Sequence, residues 1–163
     1  MTLTIRTATP ADAGLIYGFV RDLADYERLL DEVEAVEADL ARDLFGPHPR
    51  VFCDIAEVDG EPVGFALWYY SYSTFRGRHG IYLEDLFVRP QARGQGAGKA
   101  LLAALARRCA AERLGRLEWA VLDWNAPSIA FYDSLGAAAK TDWITRRLDG
   151  EALGRLAAAS TAG

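Results

Sequence analysis

Three glycines alternate with other residues in Arg93-Gly94-Gln95-Gly96-Ala97-Gly98, and the segments on either side make this the most constraining stretch of the chain. Before it, 80–88 is rich in β-branched and aromatic residues, the composition of a strand; after it, Leu101, Leu102, Leu105 and Cys109 recur at the spacing of one helix face. A strand that turns through glycines into a helix presents unpaired N–H groups at a helix N-terminus, where the peptide dipoles also favour an anion. The unit predicts a phosphate-binding turn, with a purely structural glycine turn as the alternative. Neither common nucleotide motif fits. The spacing is GxGxG rather than GxGxxG, and Arg93 and Ala100 stand where a GxxxxGK[ST] loop needs glycine and a hydroxyl residue.

The rest of the chain reads as an α/β succession without repeats or linkers. A short strand at 4–8 runs into Thr9-Pro10-Ala11-Asp12, which supplies a cap, a first-turn proline and an acid three residues on. The helix that follows carries Leu15, Ile16, Phe19, Val20 and Leu23 on one stripe, and a second helix around 37–44 stops at Gly46-Pro47. Strands at 50–58, 62–72 and 80–88, separated by Asp59-Gly60 and Arg76-Gly77-Arg78, predict an antiparallel meander. Beyond the glycine loop and its helix come a strand at 117–122, a helix from near Pro127 to before Gly136, and a last strand near 143–148. The alanine-rich end reads as a short helix or a frayed tail. One domain over 1–163 is expected, with its core in about 4–148 and a tail over about 150–163.

Composition narrows the function. Of 163 residues 51% are hydrophobic and 25% charged, which excludes a disordered chain. No apolar run reaches the ~18 residues of a membrane span, and the N-terminus lacks the pattern of a signal peptide, so a cytoplasmic protein with no membrane partner is expected. Cys53 and Cys109 fit no CxxC pattern, Cys109 falling on a core stripe, and only His48 and His79 offer imidazoles, which read as loop packing. No metal site is expected. The net charge is −5, but 22–43 holds nine acids against two arginines and carries −7, leaving the remainder at +2. Such a chain is a poor partner for nucleic acid and a good one for a small cation, although a solvated helix face accounts for the charge equally well.

Arg93-x-x-Gly96-x-Gly98 matches the pyrophosphate signature of the GNAT acyltransferase superfamily. Tyr82-Leu83-Glu84-Asp85-Leu86-Phe87-Val88 before it, and Asp123-Trp124-Asn125-Ala126-Pro127-Ser128-Ile129-Ala130-Phe131-Tyr132 after it, closely resemble the diamine and thialysine acetyltransferase branch. Leu23-Ala24-Asp25-Tyr26-Glu27 and Phe45-Gly46-Pro47-His48-Pro49 extend the likeness over 5–148. The resemblance implies a central mixed, mostly antiparallel sheet flanked by helices and splayed at the cofactor site, with acetyl-CoA in the gap, and a homodimer.

It also implies roles. Backbone groups of Leu86, Phe87 and Val88 would pair with the pantetheine, and Arg93, Gly94, Gln95, Gly96, Ala97, Gly98 and Lys99 would hold the pyrophosphate. Asn125, Pro127 and Ser128 would line the other side of the cofactor. Tyr132 would protonate the departing thiolate and Glu84 would act as base through a water, while Tyr26, Glu27, Glu84, Glu118, Trp119 and Asp142 would form the acceptor pocket. On residue type alone, a Tyr after Phe131 is more often core packing, and Glu84 reads equally as exposed strand charge. The implied reaction is direct transfer of acetyl to a primary amine of a small di- or polyamine or a lysine-like amino acid, since no Cys or Ser stands in a nucleophile motif. A protein amine or an aminoglycoside as acceptor, or a non-catalytic acyl-CoA sensor, are the alternatives.

Overall fold

The computed structural model describes residues 1–159. The expected meander forms: β1 (Leu3–Thr7), β2 (Phe52–Val58), β3 (Glu61–Ser73) and β4 (Arg78–Val88) pair antiparallel in sequence order. Between β2 and β3, Asp59 and Gly60 both take positive φ, 51° and 83°, which matches the twist of a tight hairpin. The fifth strand, β5 (Leu117–Glu118), lies parallel to β4 through two residue pairs, Ile81 with Leu117 and Tyr82 with Glu118. The sheet is therefore mixed and mostly antiparallel. Among the described residues, no strand runs beside the outer edge of β4 beyond Tyr82.

Alternation along the strands sorts the two faces. Cys53, Ile55, Phe65, Leu67 and Phe87 share one face with Ile16 and Phe19 of α1 (Ala13–Tyr26) and Leu44 of α2 (Glu37–Phe45). The rings of Phe19 and Phe65 stack at 5.3 Å. Each such buried side chain contributes about 1.5–3 kcal/mol, which makes this stripe the main anchor of α1. On the opposite face α3 (Ala97–Glu112) buries Leu101, Leu102 and Leu105, with Cys109 half-buried at the end of the stripe. Farther along α3, the Arg108 guanidinium lies 4.9 Å over the Trp68 ring and 3.8 Å from the buried Asp54 carboxylate. Both cysteines are free thiols, and burial pushes each above its ordinary range.

The two ends of α1 are fixed by local chemistry. At its start, Pro10–Asp12 makes a single 3-10 turn, and Asp12 Oδ2 accepts from Thr9 N at 2.7 Å. The same carboxylate takes both terminal nitrogens of Arg6, at 2.8 and 2.9 Å, while Arg6 Nε donates to Glu57 at 2.6 Å. At its end, Leu29 N donates to Ala24 O and Arg28 N to Asp25 O, a Schellman closure with Arg28 at φ 62° in the position glycine usually takes. That closure fixes Glu27 as the C-cap, directly after Tyr26.

Two expectations fail here. The strand at 117–122 is only two residues long, and the strand near 143–148 does not form; Trp143 and Ile144 are 78% and 80% exposed. Both segments have β-forming side chains, but a strand exists only through a ladder partner, and none pairs with them among the described residues. The chain divides into a unit over 1–122, which contains the sheet and α1 to α3, and a second unit that begins at Asp123. The second contains α4 (Ala126–Ser134) and α5 (Gly150–Ala157), the latter within the expected tail. Residues 160–163 of that tail lie outside the described residues.

Candidate active site

The glycine loop has the form its sequence predicts. Gly94 and Gly96 take φ of 80° and 85°, and a Cβ built at either would meet nothing within 4 Å. Glycine is needed at these positions for the left-handed backbone rather than for packing. Gly96 caps α3, whose first turn, Ala97, Gly98 and Lys99, contains no acid to offset the positive end of the helix dipole. The α3 N-terminus and the edge of β4 at Leu86, Phe87 and Val88, which has no strand partner among the described residues, suit a pyrophosphate and an extended, amide-bearing arm respectively.

The register of β4 explains its carboxylates. Leu67 pairs with Asp85 but the next residue, Trp68, pairs with Leu83, so Glu84 is the extra residue of a β-bulge. A bulge re-aims a side chain out of the simple alternation. Glu84 and Asp85, which would otherwise face opposite sides, act on one environment: the Glu84 charge raises the pKa of Asp85 and also those of Tyr69 and Tyr82. Asp85 is pushed up to about 7, first by burial and then by the negative charges of Glu84 and Glu27. Burial raises Glu27 as well. Among the described residues, none of these three acids has a salt-bridge partner. Asp85 was missed by sequence reasoning. The available signal was the adjacent acid pair in a strand otherwise built of apolar residues, but its shared environment depends on the bulge.

Of the other expected residues in this unit, Tyr26 lies under the guanidinium of Arg93 at 4.8 Å, and Arg93 Nε donates to Val88 O at 2.9 Å. Glu118 stands opposite Tyr82, already paired with Arg116 at 2.8 Å, and Trp119 follows it half-buried. Gln95 is exposed in the glycine loop. A cleft of about 390 Å³ opens between the end of α1 and the end of β4, lined by Asp22, Asp25, Tyr26, Phe87, Arg89 and Arg93.

The second unit holds the remaining candidates. Asn125 is buried and caps α4, its Oδ1 accepting from Ser128 N at 3.4 Å, with Pro127 in the first turn. Tyr132 lies half-buried near the end of that helix, its ring 5.5 Å from that of Phe131. Asp142 is exposed in a segment without regular structure. Among the described residues no cluster of His, Cys, Asp or Glu is placed to hold a metal ion, and no helix is long and apolar enough to cross a membrane.

Known proteins agree with this architecture. The thialysine N-epsilon-acetyltransferase of Bos taurus is 42% identical over 94% of this chain and 96% of its own length. An L-ornithine N5-acetyltransferase of Arabidopsis thaliana is 31% identical over 91% of this chain and 85% of its own. Among solved structures, an integron cassette protein from the mobile metagenome of V. cholerae superposes with a TM-score of 0.81 at 27% identity, covering 98% of this chain and 99% of that one. The sequence model of the Acetyltransferase (GNAT) family matches residues 17–137. Matched by the family model over most of its length and by these relatives over nearly all of it, the chain belongs to the GNAT family of acetyltransferases.

Proposed function

We propose that 1–163 acts as one catalytic domain that transfers acetyl from acetyl-CoA directly to a primary amine of a small di- or polyamine or a lysine-like amino acid such as thialysine. The observation that carries the acceptor class is the group of Glu27, Glu84 and Asp85, three acids with no cationic partner among the described residues, next to a glycine loop suited to phosphate. The names of the bovine and plant relatives, both acetylating amino-acid side-chain amines, support it.

Acetyl-CoA supplies the activated thioester when bound. Leu86, Phe87 and Val88 offer it backbone hydrogen bonds, the amides of Gly94 through Lys99, in the loop that Arg93 opens, suit its pyrophosphate, and Asn125, Pro127 and Ser128 complete its binding. An alkyl amine of pKa about 10 arrives as an ammonium ion and must lose a proton before it can attack. Glu84 takes that proton through a water. Asp85 and Glu27, with Tyr26, Glu118, Trp119 and Asp142, hold the acceptor and its second charge; at Glu118 the substrate competes with Arg116. Tyr132 Oη delivers a proton to the departing thiolate, so that a thiol leaves. The reading includes a cytoplasmic protein and a homodimer, the latter in keeping with the family likeness and with the exposure of Trp143 and Ile144.

The test is release of free CoA thiol from acetyl-CoA with thialysine, lysine, ornithine, putrescine, spermidine and propylamine as acceptors. Dications should exceed propylamine in kcat/KM by at least about 10-fold, because only they supply a charge that can pair while the reacting nitrogen is neutral. Equal use of propylamine would overturn the acceptor class, and no thiol release with any amine would overturn the activity.

A further inference from the structure

The cleft between α1 and β4 carries charges that a plain diamine does not need. Asp22 and Asp25 line it from α1, and Arg89 and Arg93 from the segment after β4. Arg89 reaches Asp22 only at 3.5 Å and rests over the Phe19 ring at 4.7 Å. Arg93 is drawn over the rings of Tyr26 and Phe87, and among the described residues its side chain donates one hydrogen bond, from Nε to Val88 O, which leaves the forked end of the guanidinium to the cleft. Among the described residues neither Arg93 nor Asp25 has a salt-bridge partner.

A dication entering this space meets two guanidinium groups, and a simple carboxylate meets two acids. A carbon that carries both an ammonium and a carboxylate satisfies both signs, and a planar guanidinium is well suited to a carboxylate. We propose that this cleft is a subsite for the α-amino-acid end of the acceptor, with Arg89 and Arg93 taking the α-carboxylate and Asp25 the α-ammonium. The inference rests on the proposed acetylation of a side-chain amine beside Glu84 and Asp85, and it turns the choice between diamine and amino acid toward the amino acid.

The spacing agrees. Phe87 lines the cleft, and Asp85 stands two residues back on the same face of β4, just short of the bulge at Glu84, a separation of roughly 7 Å at ~3.4 Å per residue. An extended lysine or thialysine arm is about that long. An amino acid seated by its α carbon near Phe87 therefore brings its terminal nitrogen to the carboxylates.

The experiment compares amino acids with twins that lack one charged group, using kcat/KM from CoA release. Lysine is set against cadaverine, which lacks the carboxylate, and against 6-aminohexanoate, which lacks the α-ammonium. Wild-type protein should prefer lysine to both. Arg89→Gln should lower the lysine to cadaverine ratio by about 10- to 100-fold, mostly through the KM of lysine. Asp25→Asn should lower the lysine to 6-aminohexanoate ratio by a similar factor. Arg89→Lys, which keeps a charge over Phe19, should recover part of the lost ratio, separating recognition from damage to the core. If Arg89→Gln slows lysine and cadaverine equally, no carboxylate subsite exists there; if it raises the KM of acetyl-CoA instead, the cleft serves the cosubstrate. If wild-type protein acetylates cadaverine but not lysine, the subsite is wrong while the amine activity stands. Acetylation of none of the three overturns the activity and the subsite together.

Discussion

Two groups of carboxylates lie in the sheet-containing unit, one where β1 meets the start of α1 and one on β4, and their surroundings treat them in opposite ways. Asp12 accepts from Thr9 and from both terminal nitrogens of Arg6, and these bonds hold its pKa down to about 2. Asp85 has burial and two like charges, and is pushed up to about 7. The first arrangement favours the ionised form and ties β1 to α1 and, through Glu57, to β2. The second disfavours the ionised form and so costs folding energy at neutral pH. Unpaired acids are retained where a ligand of opposite charge completes them, and strongly perturbed groups gather at functional sites for that reason. Acids that hold the fold are thereby separated from acids left without a counter-charge, although both are carboxylates of the same sheet-containing unit.

The largest effect is expected of Asp85→Asn. It should lower kcat/KM for a dicationic acceptor by about 100-fold, yet stabilise the protein at pH 8 by about 1–3 kcal/mol, measured by urea unfolding. The sign follows from the folded pKa of about 7 lying above the ordinary 3.8. Wild-type stability is least penalised below pH 4 and falls as pH rises through 7, so the gain from the variant should vanish below pH 4. Loss of stability at pH 8 would show that Asp85 is a structural acid after all.

Asp12→Ala should do the reverse, costing about 2 kcal/mol at pH 7 with kcat within about 2-fold of wild type, since it leaves Arg6 with one partner fewer in a half-buried setting. Because the folded pKa of Asp12 lies below its unfolded value, the wild-type advantage should hold above pH 4 and disappear as pH falls through about 2. A wild-type advantage that persists at pH 1 would mean that the contact acts through packing rather than charge.

The smallest effect belongs to Glu27→Gln. Removing one of the negative charges that raise Asp85 should move the acidic inflection of kcat/KM downward by less than about one pH unit, read from a pH profile at saturating acetyl-CoA. An unmoved inflection would uncouple the end of α1 from β4.

The elements that depend on local chemistry were readable from sequence. Asp59-Gly60 specifies its hairpin, Thr9-Pro10-Ala11-Asp12 starts α1, and Gly94 and Gly96 set the loop, because each acts through its own backbone preference. What was not readable depends on a partner. The apolar run after Glu118 looks like strand but has no ladder to join, and Trp143 and Ile144 share that fate. Asp85 was hidden for a related reason: the bulge at Glu84 exists only in the pairing of β4 with β3, and strict alternation places the two acids on opposite faces. Arg89 and Asp25 were passed over because single charges near a helix end and after a strand carry no pattern until folding brings them to one cleft.

The open margin of β4 has a colloidal side. From 83 to 88 its backbone donors and acceptors on that side face no neighbouring strand among the described residues, and such a margin recruits any extended polypeptide, including a second molecule of the same kind. A cosubstrate arm lying along it would occupy the same groups and blunt that self-recognition. If the cosubstrate binds there as proposed, solubility at high concentration and saturation with cosubstrate share one short length of main chain.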